Sequence, residues 1–200
     1  MRERVIFIGI RKDALKPEAL KALSSQHVPR EYDPYPIPTH SATVRGNNLL
    51  GIVTTQDVLE GLKEPENTID ASQQLYSKAK FLATGQGQTE IKLDNLGPTI
   101  RSEHHGNIEF RRLSLEHGGK HFDELNAGLQ ERRLTPRECA LIQTFPPDYR
   151  FVMKKANGRG YRLSSSGAYK VIGNAVPPVL AFNIAMRLQE VWDEYFMPTE

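Results

Sequence analysis

The 200-residue chain has little cysteine, little net charge and no long apolar run. Its single cysteine, Cys139, excludes a disulfide framework within the chain and fits a reducing compartment. The apolar run VIFIGI at residues 5–10 is too short for a membrane span or a signal peptide, and Arg11, Lys12 and Asp13 follow it at once. A formal charge of +2 indicates no overall excess for a polyanionic partner.

The charge is nevertheless unevenly distributed. Residues 131–170 contain nine basic and three acidic side chains, whereas residues 190–200 are acidic. The sequence therefore predicts a local basic face. The length suffices for one compact domain or two small ones.

Hydrophobic patterning predicts four regions. VIFIGI is typical of a strand covered on both faces, so it needs neighbouring strands that the four residues before it cannot supply. A proline-rich linker follows, and then short helices are predicted at 54–62 and 70–82. Residues 89–115 alternate in short runs and predict a small antiparallel patch. A helix from Thr135, a loop at 157–167 and an amphipathic helix from about Pro177 to Phe196 complete the chain.

The stretch RRLTPRECALIQTFPPDY contains the cysteine. Thr135 is predicted to cap a helix that starts at Pro136, with Glu138 completing a capping box. Cys139 then falls among apolar residues, which favours a small buried hydrophobe over a nucleophile. A metal site at His105, His117 and His121 with Glu116 is not favoured, because Gly118 and Gly119 interrupt the helical spacing.

Several stretches carry a resemblance to the DNA cytosine-5 methyltransferases. RRLTPRECALIQTFPPDYRF resembles the ninth motif of that family, YKVIGNAVPPVLAFNIAMRL the tenth, and RERVIFIGIRKD the eighth. TTQDVLEGL and GPTIRSEHHGN resemble parts of the variable target-recognition region, the second around its dipeptide Thr99–Ile100. The matches cover nearly the whole chain in the family's order.

The resemblance implies an α/β fold. It would be a partial Rossmann-like catalytic domain of one strand plus C-terminal helices, with a small mixed, mainly β target-recognition domain. The implied segments are 1–37 (strand and linker of the catalytic domain), 38–129 (target recognition) and 130–200 (return to the catalytic domain).

The chain also departs from the family pattern. It lacks the glycine-rich adenosylmethionine loop, the Pro-Cys loop with the nucleophile, and the Glu-Asn-Val element. A second polypeptide with those motifs is therefore expected as an obligate partner. Arg2 and Arg4 would be this chain's catalytic contribution, Arg4 contacting the flipped cytosine or its flanking phosphate. The alternative for this pair is surface salt bridges with Glu3 and others.

The tenth motif implies a shared S-adenosylmethionine site. Gly173 and Asn174 are expected to make a tight turn before a helix beside the cofactor, with Ala175 and Val176 next to them. A plain turn-and-cap role is the alternative. Beyond the turn, one helix face is predicted to pack across the partner: Val176, Val179, Leu180, Ile184 and Leu188.

Two groups of residues are predicted to bind double-stranded DNA. Short polar and arginine side chains read base edges, and the densest such cluster comprises Thr99, Arg101, Ser102, His104, His105, Asn107 and Arg111. Phosphate contacts are expected from Lys154, Lys155, Arg159 and Arg162, for which a solvated charged face is the alternative.

Together these features predict the DNA-recognition half of a split, cytoplasmic DNA cytosine-5 methyltransferase from a restriction-modification system. With its partner half it would transfer methyl groups to a flipped cytosine. No activity is expected from the chain alone. An inactive remnant, a truncated chain and a stand-alone DNA-binding module are the alternatives.

Overall fold

The computed structural model describes residues 5–42, 49–102 and 108–197. The helices are α1 (Pro17–Leu23), α2 (Thr55–Leu59), α3 (Ala71–Gln74), α4 (Phe122–Asn126), α5 (Pro136–Ile142), α6 (Ser165–Asn174), α7 (Pro178–Glu190) and α8 (Trp192–Tyr195). The strands form three two-stranded sheets: β1 (His40–Ser41) with β2 (Leu50–Gly51), β3 (Phe110–Arg112) with β4 (Arg132–Arg133), and β5 (Met153–Lys154) with β6 (Tyr161–Leu163). This is a mixed α/β structure with small sheets.

The chain divides into two compact units. The larger unit is Gly51–Pro177, and the smaller combines residues 5–50 with residues 178–197. These borders follow packing, whereas the predicted segments 1–37, 38–129 and 130–200 follow sequence motifs. The motif-based segments stay a prediction.

The core of the larger unit is built around α5 and α6. Thr135 caps α5 as predicted: its hydroxyl accepts from the Glu138 amide at 3.0 Å, and the Glu138 carboxylate accepts from the Thr135 amide at 2.9 Å. Tyr169 of α6 donates its hydroxyl to the Leu134 carbonyl at 2.6 Å. The surrounding apolar side chains include Ile100, Ile108, Phe151 and Ile172.

A buried ion-pair network joins distant parts of this unit. Arg132 donates to both Glu138 oxygens at 2.9 and 2.7 Å and to Glu64 at 2.8 Å. Arg112 contacts Glu64 at 3.1 Å and Glu124 at 2.5 Å. Each carboxylate therefore has a charged donor, which is the condition under which buried charges are tolerated.

The predicted helix at 70–82 is much shorter in the structure, since α3 ends at Gln74. Tertiary hydrogen bonds replace the helical ones beyond it. The Arg133 guanidinium donates to the carbonyls of Ala79 at 3.1 Å and Gly87 at 2.9 Å, and the Ser77 amide donates to the Tyr169 hydroxyl at 3.1 Å. Helix propensity is weak beside such partners.

The predicted patch at 89–115 is only partly antiparallel. β3 pairs antiparallel with β4, but Glu90 bridges Phe110 in the parallel sense. Helices α2, α3 and α4 occupy more of the described part of 38–129 than strands do. The predicted mainly β recognition domain is therefore mixed, because runs broken by glycine and proline are too short to form wide sheets.

The smaller unit packs α1 against α8. Ala19, Val191 and Tyr195 form its buried centre, and Tyr195 donates its hydroxyl to the Tyr32 carbonyl at 2.6 Å. Within the described ranges no strand pairs with residues 5–10. Their exposure alternates, and Phe7 is 90% exposed. VIFIGI thus lies without the neighbouring strands that its composition predicts.

The tenth-motif stretch folds differently from its prediction. Gly173 and Asn174 are the last two residues of α6, so the expected turn before a helix lies one residue later, at Ala175. Ala175 already has extended backbone, with φ −71° and ψ 149°. The helix cannot continue through Val176, because a residue that precedes proline disfavours helical backbone. The stretch Ser165–Glu190, which contains α6 and α7, is long and apolar enough to cross a membrane by length and composition alone, and 11% of its most apolar window is buried; one such stretch is weak evidence for a membrane span.

The ion-pair network makes stability depend on pH. Burial raises the pKa of Glu64, but hydrogen bonds and charge attraction from Arg132 and Arg112 outweigh it and bring the pKa to about 2, below its ordinary 4.5. A lowered folded-state pKa stabilises the fold above pH 4.5, and this contribution is lost as the pH falls towards 2. The contribution is at most about 3 kcal/mol.

We expect Glu64→Gln to lower the free energy of unfolding at pH 7 by about 2–3 kcal/mol. The difference from the unchanged protein should shrink as the pH falls from 4.5 towards 2. Denaturant titrations at several pH values measure it. Glu66→Gln, at an exposed side chain nearby, serves as control. An equal pH slope for Glu64→Gln and the unchanged protein would contradict the assignment.

Candidate nucleic-acid interface

The predicted base-reading segment lies against the tenth-motif helix. Ile100 is buried in the core, and the peptide between Arg101 and Ser102 lies on Gly173 of α6. A Cβ added to Gly173 would lie well inside the 3.0 Å that Cβ atoms keep from the Arg101 and Ser102 backbone. The fold therefore brings together two motifs that lie some seventy residues apart in sequence.

Arg101 is partly exposed and partly held by an ion pair. Its side chain is 31% exposed, and its Nη1 atom lies 3.5 Å from the Glu109 carboxylate. Nη1 makes no hydrogen bond with the described residues. Glu109 is in turn fixed by the Thr89 hydroxyl, which donates to it at 2.7 Å. Since Nη1 itself is buried, a ligand can reach only the other, exposed part of the guanidinium.

Arg111 is placed differently from Arg101. Its guanidinium forms an ion pair with Glu124 and lies 3.3 Å from the His121 ring, and its side chain is mostly buried. Its guanidinium therefore has fewer exposed donors than that of Arg101, and DNA binding by Arg111 stays a prediction. Thr99 and Ser102 are half-buried beside Arg101.

The predicted phosphate-binding residues lie on one β-hairpin. Met153–Lys154 pairs antiparallel with Tyr161–Leu163, so the expected loop at 157–167 is a tight hairpin followed by α6. Gly158 and Gly160 have positive φ angles of 70° and 74° in its turn. All four cations are exposed, and none has an ion pair with the described residues: Lys154, Lys155, Arg159 and Arg162.

The predicted cofactor residues offer one polar side chain. Asn174 is exposed at the end of α6, while Gly173 is covered by the Arg101 peptide. The Ala175 carbonyl accepts from Gln143 at 2.9 Å, and Val176 is exposed. The exposed amide of Asn174 can therefore hydrogen-bond to a polar group of S-adenosylmethionine.

Several predicted residues lie outside the described ranges. They are the proposed catalytic pair and three members of the recognition cluster: Arg2, Arg4, His104, His105 and Asn107.

Cys139 is 1% exposed and lies inside the core of the larger unit. Burial raises the pKa of its thiol well above the ordinary value. A thiol needs a lowered pKa and access to act as a nucleophile. The structural interpretation of this cysteine is confirmed, so these 200 residues contain no reactive thiol.

Two further contacts bear on the sequence interpretation. His117 Nδ1 lies 2.5 Å from Glu131, and His121 Nδ1 lies 3.6 Å from Glu90, so both rings have carboxylate partners.

Glu109 was not singled out from the sequence. Its importance comes from its distance to Arg101 in space, for which no local pattern provides a signal.

Comparison with known proteins identifies the family. The family model described as C-5 cytosine-specific DNA methylase matches residues 1–190. The chain therefore belongs to the C-5 cytosine-specific DNA methylases, a family that uses S-adenosylmethionine as methyl donor. The predicted resemblance is confirmed.

Individual relatives match in part. Type II methyltransferase M.FnuDI of Fusobacterium nucleatum is 46% identical over 59 residues, which are 30% of this chain and 14% of that protein. DNA (cytosine-5)-methyltransferase 2 of Arabidopsis thaliana is 28% identical in an alignment 189 residues long, which covers 80% of this chain and 11% of that protein.

A third relative is short. Type II methyltransferase M.AquIB of Picosynechococcus sp. is 37% identical over 62 residues, which are 30% of this chain and 45% of that protein. Since 62 residues are 45% of M.AquIB, it is shorter than the present chain. In each of the three relatives the aligned part is less than half of the protein.

Proposed function

We propose that this chain is the DNA-recognition half of a DNA cytosine-5 methyltransferase whose nucleophile and glycine-rich cofactor loop lie on a separate polypeptide. The family membership supports methyl transfer from S-adenosylmethionine to cytosine in DNA. The buried Cys139 supports an external nucleophile, since thiolate attack on the C6 atom of the base is the family's first chemical step.

One observation carries the proposal of a partner: the smaller unit has an uncovered apolar surface. Val5 and Phe7 are exposed in VIFIGI, and α7 contains no buried residue although Phe182 and Met186 lie on it. Large exposed apolar side chains in one unit are typical of a protein–protein interface. The complementary half of the methyltransferase fold would cover them and would supply strands beside residues 5–10.

DNA contact is divided between two surfaces of the larger unit. Arg101, with Thr99 and Ser102 beside it, would read base edges, and the basic hairpin would contact phosphates. For Arg111, which forms an ion pair with Glu124, DNA binding stays a prediction. Arg4 would contact the flipped cytosine or its flanking phosphate, because a rigid guanidinium fork suits both acceptors.

Asn174 would complete the cofactor site from this half. Its exposed amide can bind a polar group of S-adenosylmethionine, while the partner would provide most of the cleft. Two bacterial relatives are named type II methyltransferases. These names support the proposal that the enzyme is cytoplasmic and belongs to a restriction-modification system.

A stand-alone DNA-binding module is the second candidate, and the exposed basic hairpin supports it. It differs from the first in requiring no partner for sequence-specific binding. Binding of one DNA sequence only after the halves are mixed would exclude it.

Methyl transfer tests the proposal directly. We expect tritiated methyl groups to pass from S-adenosylmethionine to DNA when this chain is mixed with a polypeptide bearing the Pro-Cys motif, and not with either one alone. Filter-bound radioactivity measures the transfer. Activity of the 200-residue chain by itself would overturn the assignment.

The apolar surface can be tested by charge. Phe7→Asp and Phe182→Asp should weaken association with the complementary half about 10-fold or more, because buried aromatic side chains dominate interfaces. Both are exposed here, so folding should be unaffected. Analytical ultracentrifugation measures the association. Phe122→Asp, at an exposed phenylalanine of the larger unit, is the control. Unchanged association of both test variants would remove this surface from the interface.

The basic hairpin predicts a defined salt dependence. The logarithm of the binding constant falls as the logarithm of the salt concentration rises. Replacing Lys154 and Lys155 by glutamine should make this negative slope shallower by about 2, since each phosphate contact contributes about 1. Fluorescence anisotropy with a mixed-sequence duplex measures the slope. The control is the double variant Lys12→Gln and Lys21→Gln, which removes two positive charges from exposed positions of the smaller unit. Equal slopes for the two double variants would show that the hairpin does not contact phosphates.

A further inference from the structure

We propose that Gly173 and Glu109 are positioning residues that hold Arg101 in the orientation with which it discriminates between DNA sequences. This inference rests on the proposed function, in which Arg101 contacts bases. It assigns Gly173 to the recognition segment, where the sequence predicted a cofactor contact.

The first support is the contact between α6 and the Arg101 backbone. A Cβ on Gly173 would meet the Arg101 carbonyl carbon and oxygen and the Ser102 nitrogen, all backbone atoms. Gly167 lies in the same helix, but a Cβ there would meet Leu163 Cδ1 at 2.7 Å, the end of a flexible side chain. Of these two glycines in α6, Gly173 is the one at which an added Cβ would force a backbone segment to move.

The second support is the fixed carboxylate facing the arginine. Glu109 lies 3.5 Å from Arg101 Nη1, and its other oxygen accepts from Thr89 at 2.7 Å. The Glu109 carbonyl accepts from the Leu134 amide at 2.9 Å, so both ends of this residue are anchored. The carboxylate thus orients one side of the guanidinium.

The two contacts act on one short segment. Ile100 is buried in the core, the next peptide lies on Gly173, and the Arg101 side chain is directed by Glu109. Bidentate recognition of a guanine needs a guanidinium in a fixed plane. Because a side chain that is already ordered loses less freedom on binding, these contacts favour the cognate sequence over others.

The test compares discrimination between two probes. The full chain, with the complementary half where binding requires it, is used to select a duplex from a random-sequence pool. Binding of that duplex and of a mixed-sequence duplex is then measured by fluorescence anisotropy. The variants are Gly173→Ala, Glu109→Gln and Arg101→Ala, with Gly167→Ala as the matched control.

We expect Gly173→Ala and Glu109→Gln each to lower the preference for the selected duplex about 10-fold. Arg101→Ala should lower it at least as much. Affinity for the mixed-sequence duplex should stay within about twofold, because phosphate contacts elsewhere supply it. Gly167→Ala should retain the preference. A residue that only supports folding would change both affinities together.

The outcomes distinguish the positioning role of Gly173 and Glu109 from the proposed DNA-reading role of Arg101. If Arg101→Ala keeps the preference, Arg101 does not read DNA and the proposed recognition segment is wrong. If Arg101→Ala loses it while Gly173→Ala and Glu109→Gln keep it, the positioning role alone is wrong. Thermal unfolding checks the fold of each variant. Should Gly173→Ala not fold, Glu109→Gln decides, since a glutamine there is isosteric and still accepts from Thr89.

Discussion

The ion pair of Arg132 with Glu64 and Glu138 is the constraint on which the larger unit depends. It joins β4, the first turn of α5 and a segment almost seventy residues earlier. Removing one carboxylate would leave a buried charge, which typically costs several kcal/mol. Because Arg132 and Glu138 fix the start of α5, they also fix the core against which α6 packs.

That core determines where the recognition segment lies. α6 packs beside α5. In the last turn of α6, the Arg101 peptide packs directly against the backbone of Gly173. Ile100 enters the same core from the recognition side. The segment that we assign to DNA is therefore built on the helix of the tenth motif, so the order of that helix and the geometry of the segment are linked.

The local features could be predicted from the sequence, and the non-local ones could not. Thr135, Pro136 and Glu138 specify a helix start within four residues, and the structure confirms the capping box. The helix predicted at 70–82 was too long because Arg133 and Tyr169 compete for its backbone groups. The pairing of Arg101 with Glu109 depends on the fold and has no local signal. The turn expected at Gly173 and Asn174 lies instead at Ala175. The family motifs indicated the chemistry. They did not indicate that Arg111 forms an ion pair with Glu124.

The exposed side of VIFIGI, with Val5 and Phe7, has a consequence for the amount of this chain in a cell. An unpaired apolar edge is a template for self-association, and natural proteins shield such edges. Copies that found no cover would aggregate or be degraded. If the proposed complementary half covers residues 5–10, the steady-state amount of this chain would follow the amount of that half, without a dedicated regulator.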